Sequence, residues 1–303
     1  MLETALVLAP DFALIALGVV LGRWVFREHG FWKGVEKLVY YVLFPPMLFR
    51  SIVNAELTVG DSLGYLAVAT GTMLAVVALS FASRFVVSAS RLDHASVFQC
   101  PFRFNSYIGF SVVLSLYGDT GLALMSLFIA FWVPISSVLA VTELARATAR
   151  NRSVLAEILR NPLIIATLAG LAAHACGVTL AKPVDVLFAR LGTSSLVLGL
   201  VAIGVSLKLS DLRSYKALLA EQVVLRIVVV PVLAIAAVLF AGLPEVPAMA
   251  FVIFATLPTA NSCYILAVNM GGNGSLVAAV MTLQTVLSAA TIPFFIHLAQ
   301  SLI

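Results

Sequence analysis

Ten runs of about 20 apolar residues dictate what this chain can become. They lie at roughly 5–22, 36–53, 63–87, 95–117, 121–143, 162–178, 184–207, 217–241, 246–269 and 275–300. A run of this length crosses the hydrocarbon of a bilayer as a helix, because in lipid a backbone must satisfy its own N–H and C=O groups. The runs are too long for barrel strands and do not alternate in polarity. Only 11% of the 303 residues are charged and 62% are hydrophobic, whereas a soluble domain carries about 25% charged residues. The expected class is an all-α integral membrane protein with the lipid bilayer as its surroundings. The net charge of +4 does not point to nucleic acid as a partner, since the basic residues sit in short loops and set topology there.

Those basic residues test the count of ten. With the N-terminus outside, the inner loops hold Arg23, Arg27, Lys33, Lys37, Arg84, Arg91, Arg146, Arg150, Arg152, Arg160, Lys208, Arg213 and Lys216. The outer ends hold Arg50, Lys182 and Arg190. This bias puts both termini on the extracytoplasmic side. The N-terminus, with Glu3 and Asp11 and no early cation, is unlike a cleaved signal peptide, so the first run is read as a real span.

The longest polar connection, about 144–160, divides the runs five and five. An odd number per half gives the halves opposite orientations. Span four reads PFRFNSYIG and ends LYGDTGL; span nine reads PTANSCYIL and ends NMGGNGSL. Pro101 with Asn105-Ser106 echoes Pro258 with Asn261-Ser262, and Gly118-Asp119 echoes Gly272-Asn273. Two matches in the same order predict an inverted repeat of residues 1–143 and 161–303, joined by a cytosolic linker at 144–160.

Pro101 and Pro258 remove a backbone donor and clash with the preceding turn. Broken backbone at membrane depth survives only when buried in protein or lining a wet cavity. At 1.5 Å per residue, both breaks fall inside the hydrocarbon. Two such helices would meet near the midplane, with half-helix N-termini aimed into the gap, a setting for an anion. Asn105 and Asn261 offer amides, Ser106 and Ser262 hydroxyls, Tyr107 a phenol, and Arg103 a permanent charge able to grip a carboxylate. The plainer alternatives are a simple kink, helix-to-helix glue, and an Arg103 that snorkels or pairs with a structural acid.

Three more polar residues fall within spans. Arg226 precedes Pro231 and has Glu221 five residues before it, so structural pairing and a coupling role are both open. Gln284 and Thr285 in span ten either line the site or join helices. Cys100, Cys176 and Cys263 form no C-x-x-C pair and read as small buried hydrophobes. His29, His94, His174 and His297 are scattered without ligand spacing, so neither a metal nor a cofactor is expected. There is no H-E-x-x-H, no G-x-S-x-G and no midplane carboxylate pair, which argues against an enzyme.

Four stretches carry a family resemblance: LVYYVLFPPMLFRSI (38–52), FRFNSYIGF, NPLIIATLAGLAA (161–173) and ATLPTANSCYILAV (255–268). Together they resemble the auxin efflux carrier family, which includes bacterial carriers and the plant PIN proteins. The resemblance implies a ten-helix inverted repeat like that of bile-acid symporters and sodium–proton antiporters. It implies a scaffold of spans 1, 2, 6 and 7 that dimerises, and a mobile transport domain of spans 3–5 and 8–10 with the crossed broken helices at its centre. It further implies substrate bound at the crossing, an elevator-like motion, and small carboxylates such as malonate or malate, or auxin-like acids, as cargo across the cell inner membrane. The linker is far shorter than the PIN cytosolic loop, and Gly109 stands where relatives often carry proline. A receptor that binds the anion without moving it is the alternative function.

Overall fold

The computed structural model describes residues 2–55, 59–148, 161–207 and 215–303. Every regular element among them is helical, and the one extended contact is an isolated antiparallel bridge between Phe104 and Thr259. Among the described residues, six helices are long and apolar enough to cross a membrane: Thr4–Val25, Leu63–Val86, Ser106–Thr148, Lys182–Ser206, Lys216–Ala241 and Gly274–Gln300. The remaining apolar runs are shorter helices, and prolines explain most of the interruptions.

The first helix, α1 (Leu2–Val20), ends in a π-helical turn, Leu21–Val25. Next, α2 (His29–Leu38) passes through a second π turn, Val39–Leu43, into α3 (Phe44–Asn54). Pro45 and Pro46 supply no N–H, and the turn before them widens so that Phe44 N–H closes on Val39 O. The same device recurs where α9 (Lys216–Val224) meets α10 (Val230–Ala241) through the π turn Leu225–Val229 just ahead of Pro231.

Between these lie α4 (Val59–Val86), the short α5 (Arg91–Val97) and α6 (Ser106–Thr148). At 43 residues α6 is about twice as long as the hydrocarbon is thick. Gly118, at φ 58° and ψ −152°, divides it into two helical pieces; only glycine adopts that backbone without strain. Then come α7 (Pro162–Ala175), α8 (Lys182–Ser206), α11 (Glu245–Thr256), α12 (Asn261–Asn269) and α13 (Gly274–Gln300).

The core is organised around α11. Every residue from Pro247 to Thr256 is buried, the pattern of a helix with protein on all sides. Phe251 and Phe254 pack edge-on against Phe128 of α6, which stacks on Trp132. Phe104, in the break before α6, meets Phe254 at 4.1 Å between ring centroids. At the edge of the molecule α1 and α8 come into backbone contact through Gly18 and Gly204, with Gly22 against Val205, as small residues permit in lipid.

Two expectations change in detail. Helix α6 runs five residues past 143 into the expected linker, and residues 149–160 of that linker lie outside the described residues, as do Lys208 and Arg213. Cys176, at the end of α7, is exposed instead of buried, because α7 stops before it and leaves the turn outside the packed core.

Candidate functional site

The two breaks touch. Residues 98–105 separate α5 from α6, and residues 257–260 separate α11 from α12. They run antiparallel for two residues: Asn105 N–H donates to Pro258 O at 2.8 Å and Ala260 N–H to Arg103 O at 3.4 Å. Two chain segments 150 residues apart in sequence thus share a short hydrogen-bonded ribbon, though Pro101 and Pro258 had each ended a helix.

A break inside lipid must have its backbone groups satisfied, each orphan costing several kcal/mol. The side chains around the ribbon do this almost carbonyl by carbonyl. Ser80 Oγ donates to Phe98 O at 2.7 Å, Thr259 Oγ1 to Cys100 O at 2.7 Å, and Trp132 Nε1 to Phe102 O at 2.8 Å. Arg226, wholly buried, donates through Nη1 to Pro101 O at 2.8 Å, through Nη2 to Phe254 O at 3.1 Å, and through Nε to Leu257 O. One guanidinium therefore closes the end of α11 and one carbonyl of the other break, where a cation also meets the negative end of a helix. Gln284 Oε1 accepts from Thr259 N at 3.0 Å and shares with Cys100 O the single proton of the Thr259 hydroxyl, while its Nε2 donates to Gln222 O.

On the open side of the ribbon lies a cavity of about 320 Å³. All six residues expected to bind substrate line it: Arg103, Asn105, Ser106, Tyr107, Asn261 and Ser262. Arg103 is 9% exposed and is held by Gln99 Oε1 at 2.7 Å and Ser262 Oγ at 3.2 Å. Both partners are uncharged. Gln99 is itself pinned by donation to Cys263 O at 3.1 Å.

The two half-helix N-termini differ. Asn105 Oδ1 accepts from Tyr107 N at 3.1 Å and Ile108 N at 3.5 Å, capping α6. No side chain caps α12, whose start is Ala260-Asn261-Ser262 at the cavity wall, so its first N–H groups and positive end face the space. Asn261 donates to Ser206 Oγ at 3.0 Å. Asn105 Nδ2 and Asn261 Oδ1 are shielded from solvent with no partner, a donor and an acceptor left for a ligand.

The remaining wall was not foreseen. From α2 and the turn after it come Glu36, Lys37, Tyr40 and Tyr41; from α6, Ile129, Val133, Ser136 and Ser137; from the start of α7, Asn161. Phe44 stacks on Tyr107 with centroids 4.9 Å apart. The helical spacing 36, 40, 44 was the available signal, one stripe of α2 and α3 facing one way. Gly109, one turn into α6, gives Leu257 the space a Cβ would occupy, which accounts for a residue other than proline there.

Arg226, Gln284 and Thr285 do not line the cavity. Arg226 and Gln284 stand behind the ribbon as described, and Thr285 Oγ1 bonds back to Met281 O of its own helix at 2.8 Å. Nor does Arg226 pair with Glu221. Five residues is not a facing interval on a helix, and Glu221 accepts instead from Gln222 Nε2 at 2.8 Å.

A crossing of two broken membrane helices around a charged cavity is the architecture of a transporter, and comparison with known proteins agrees. The family model for membrane transport proteins matches residues 136–296, more than half of the chain. The chain belongs to the auxin efflux carrier family. It is a multi-pass membrane transport protein and not an enzyme. This carrier is 25% identical over 311 residues to a Rhizobium meliloti (strain 1021) protein named "Putative malonate transporter", a match covering 98% of the carrier and 96% of that protein.

Proposed function

We propose that this carrier moves small organic anions by alternating access, binding them where the two breaks cross. The observation that carries this reading is Arg103. A buried guanidinium whose hydrogen bonds go to neutral groups stands beside the uncapped start of α12, and a carboxylate suits both. The malonate named for the relative supports small carboxylates as candidate cargo.

The wider arrangement follows the same reading. Ten spans form two inverted five-helix repeats, with 118–119 and 270–273 as the corresponding turns. Spans 1, 2, 6 and 7 form a scaffold and a homodimer contact, while spans 3–5 and 8–10 move as an elevator, the substrate riding at the crossing. The cavity is lined by Lys37 and Asn161, which on this topology lie toward the cytosolic side, and that supports reading the cavity as open inward. Both termini lie on the extracytoplasmic side of the cell inner membrane.

Counterflow of labelled malonate in proteoliposomes tests this. The wild-type carrier exchanges malonate; Arg103→Ala and Asn261→Ala abolish exchange while remaining monodisperse in detergent. Normal exchange by both variants refutes the site. Binding without exchange by the wild type would identify a receptor instead.

A further inference from the structure

Among the described residues, three charged side chains line the cavity wall: Arg103, Lys37 and Glu36. Two of them suit an anion. Glu36 does not, and it is half-buried instead of turned out to water. It shares one stripe with Tyr40 and Phe44, and the Phe44 ring stacks on that of Tyr107 on the same cavity wall. A carboxylate here opposes a second carboxylate held at Arg103.

The groups facing Glu36 define what it can do. Lys33 and Lys37 lie on its own helix, and Lys33 acts on it electrostatically. Across the cavity are Arg103, Tyr107 and Asn161. Helix α8, packed against α2, has Lys182, Asp185 and Arg190 as its charged residues, all in its first nine positions, and ends at Ser206. Among the described residues, Glu36 is therefore the acid that lines the cavity with the Arg103 cation. When an anion arrives, that balance is exceeded by one negative charge.

We propose that Glu36 is a proton site linked to the anion site. An anion held at Arg103 raises the affinity of Glu36 for a proton taken from the solution on the open side, and protonated Glu36 raises the affinity for the anion by the same factor. The proton returns to solution when the anion leaves. For two charges on the wall of one partly wet cavity, about a tenfold linkage is expected. The inference rests on the anion-site reading and names its regulation.

Titration calorimetry of detergent-solubilised carrier with malonate, at pH about 5.5 and about 8, tests it on the wild type and Glu36→Gln. The ratio of the two dissociation constants cancels the titration of malonate itself. The ratio of wild type to variant is expected to be about tenfold at the higher pH and to fall toward one as the pH drops through the range in which Glu36 takes up its proton. Repeating both titrations in two buffers of different ionisation enthalpy reads proton uptake, with Glu36→Gln giving the share that belongs to malonate itself. Glu36→Asp, which keeps a titrating group, is expected to retain the uptake. A constant ratio, or no proton uptake beyond that of Glu36→Gln, overturns the role of Glu36 while the anion site stands. Failure of the wild type to bind malonate or a panel of mono- and dicarboxylates overturns both.

Discussion

Arg226 and Pro101, 125 positions apart in the chain, are joined by a 2.8 Å hydrogen bond from Nη1 to the carbonyl oxygen. The same guanidinium holds Leu257 O and Phe254 O. Replacing it with methionine leaves three buried carbonyls to find other partners, at about 1–3 kcal/mol each. Arg226→Met is expected to lower the Tm of the solubilised protein sharply, and Arg226→Lys, with a cation but no planar fork, to fall between. Equal Tm values for all three proteins would contradict the bracing role.

Asn105 caps α6 and lines the cavity at once, and the two roles can be separated. Asn105→Ser keeps a capping oxygen but withdraws the free Nδ2. It should hold Tm within the small range expected of a retained cap while weakening malonate binding several-fold. Asn105→Ala should lose binding and about 1 kcal/mol of stability besides. Thermal melts and binding titrations of the pair decide; unchanged binding in both variants would remove Asn105 from the site.

Arg50 of α3 bridges Asp119, just past Gly118, at 3.0 Å and Asp185 of α8 at 2.8 Å. Under the proposed division, Asp119 is the member on the moving side. These groups are a fifth to a third exposed, so the pair contributes at most about 1 kcal/mol to stability. Asp119→Asn is therefore expected to change Tm little and the malonate exchange rate several-fold, by freeing one state from the other. An unchanged rate would leave the bridge a purely structural contact.

Gly204 faces Ile15 O and Gly18 with no space for a side chain. Gly204→Leu is expected to part α1 from α8 and to reduce recovery of folded protein on size-exclusion chromatography, whereas Gly30→Leu, at a position with open space around it, should be tolerated. Equal recovery would mean that the α1–α8 contact yields easily.

The breaks were legible from sequence because their causes are local. A proline removes its own N–H wherever the chain goes, and an asparagine four residues after Pro101 or three after Pro258 is visible at once. The six polar residues drawn from those motifs meet around one cavity. The braces were not legible. Ser80, Trp132, Thr259 and Gln99 are ordinary membrane-helix residues until the fold brings each to a particular carbonyl. For Arg226 the sequence leaves an ion pair with Glu221 and a coupling role both open, since a cation in lipid suggests an acid; the unpaired carbonyls of two interrupted helices provide another answer. Glu36 escaped notice because it stands at the edge of its apolar run, where an acid is unremarkable, and only the approach of α2 to the crossing places it on the cavity wall.

The ribbon between the two breaks also sets an order of manufacture. Cys100, Pro101 and Arg103 find partners for their carbonyls in Thr259, Arg226 and Ala260. A ribosome delivers the first three more than a hundred residues before the others, so for that interval the first interruption has no way to settle into lipid on its own. The second half of the chain thus serves the first as a built-in chaperone, and a protein cut at the linker should regain its crossing only when both fragments are made together.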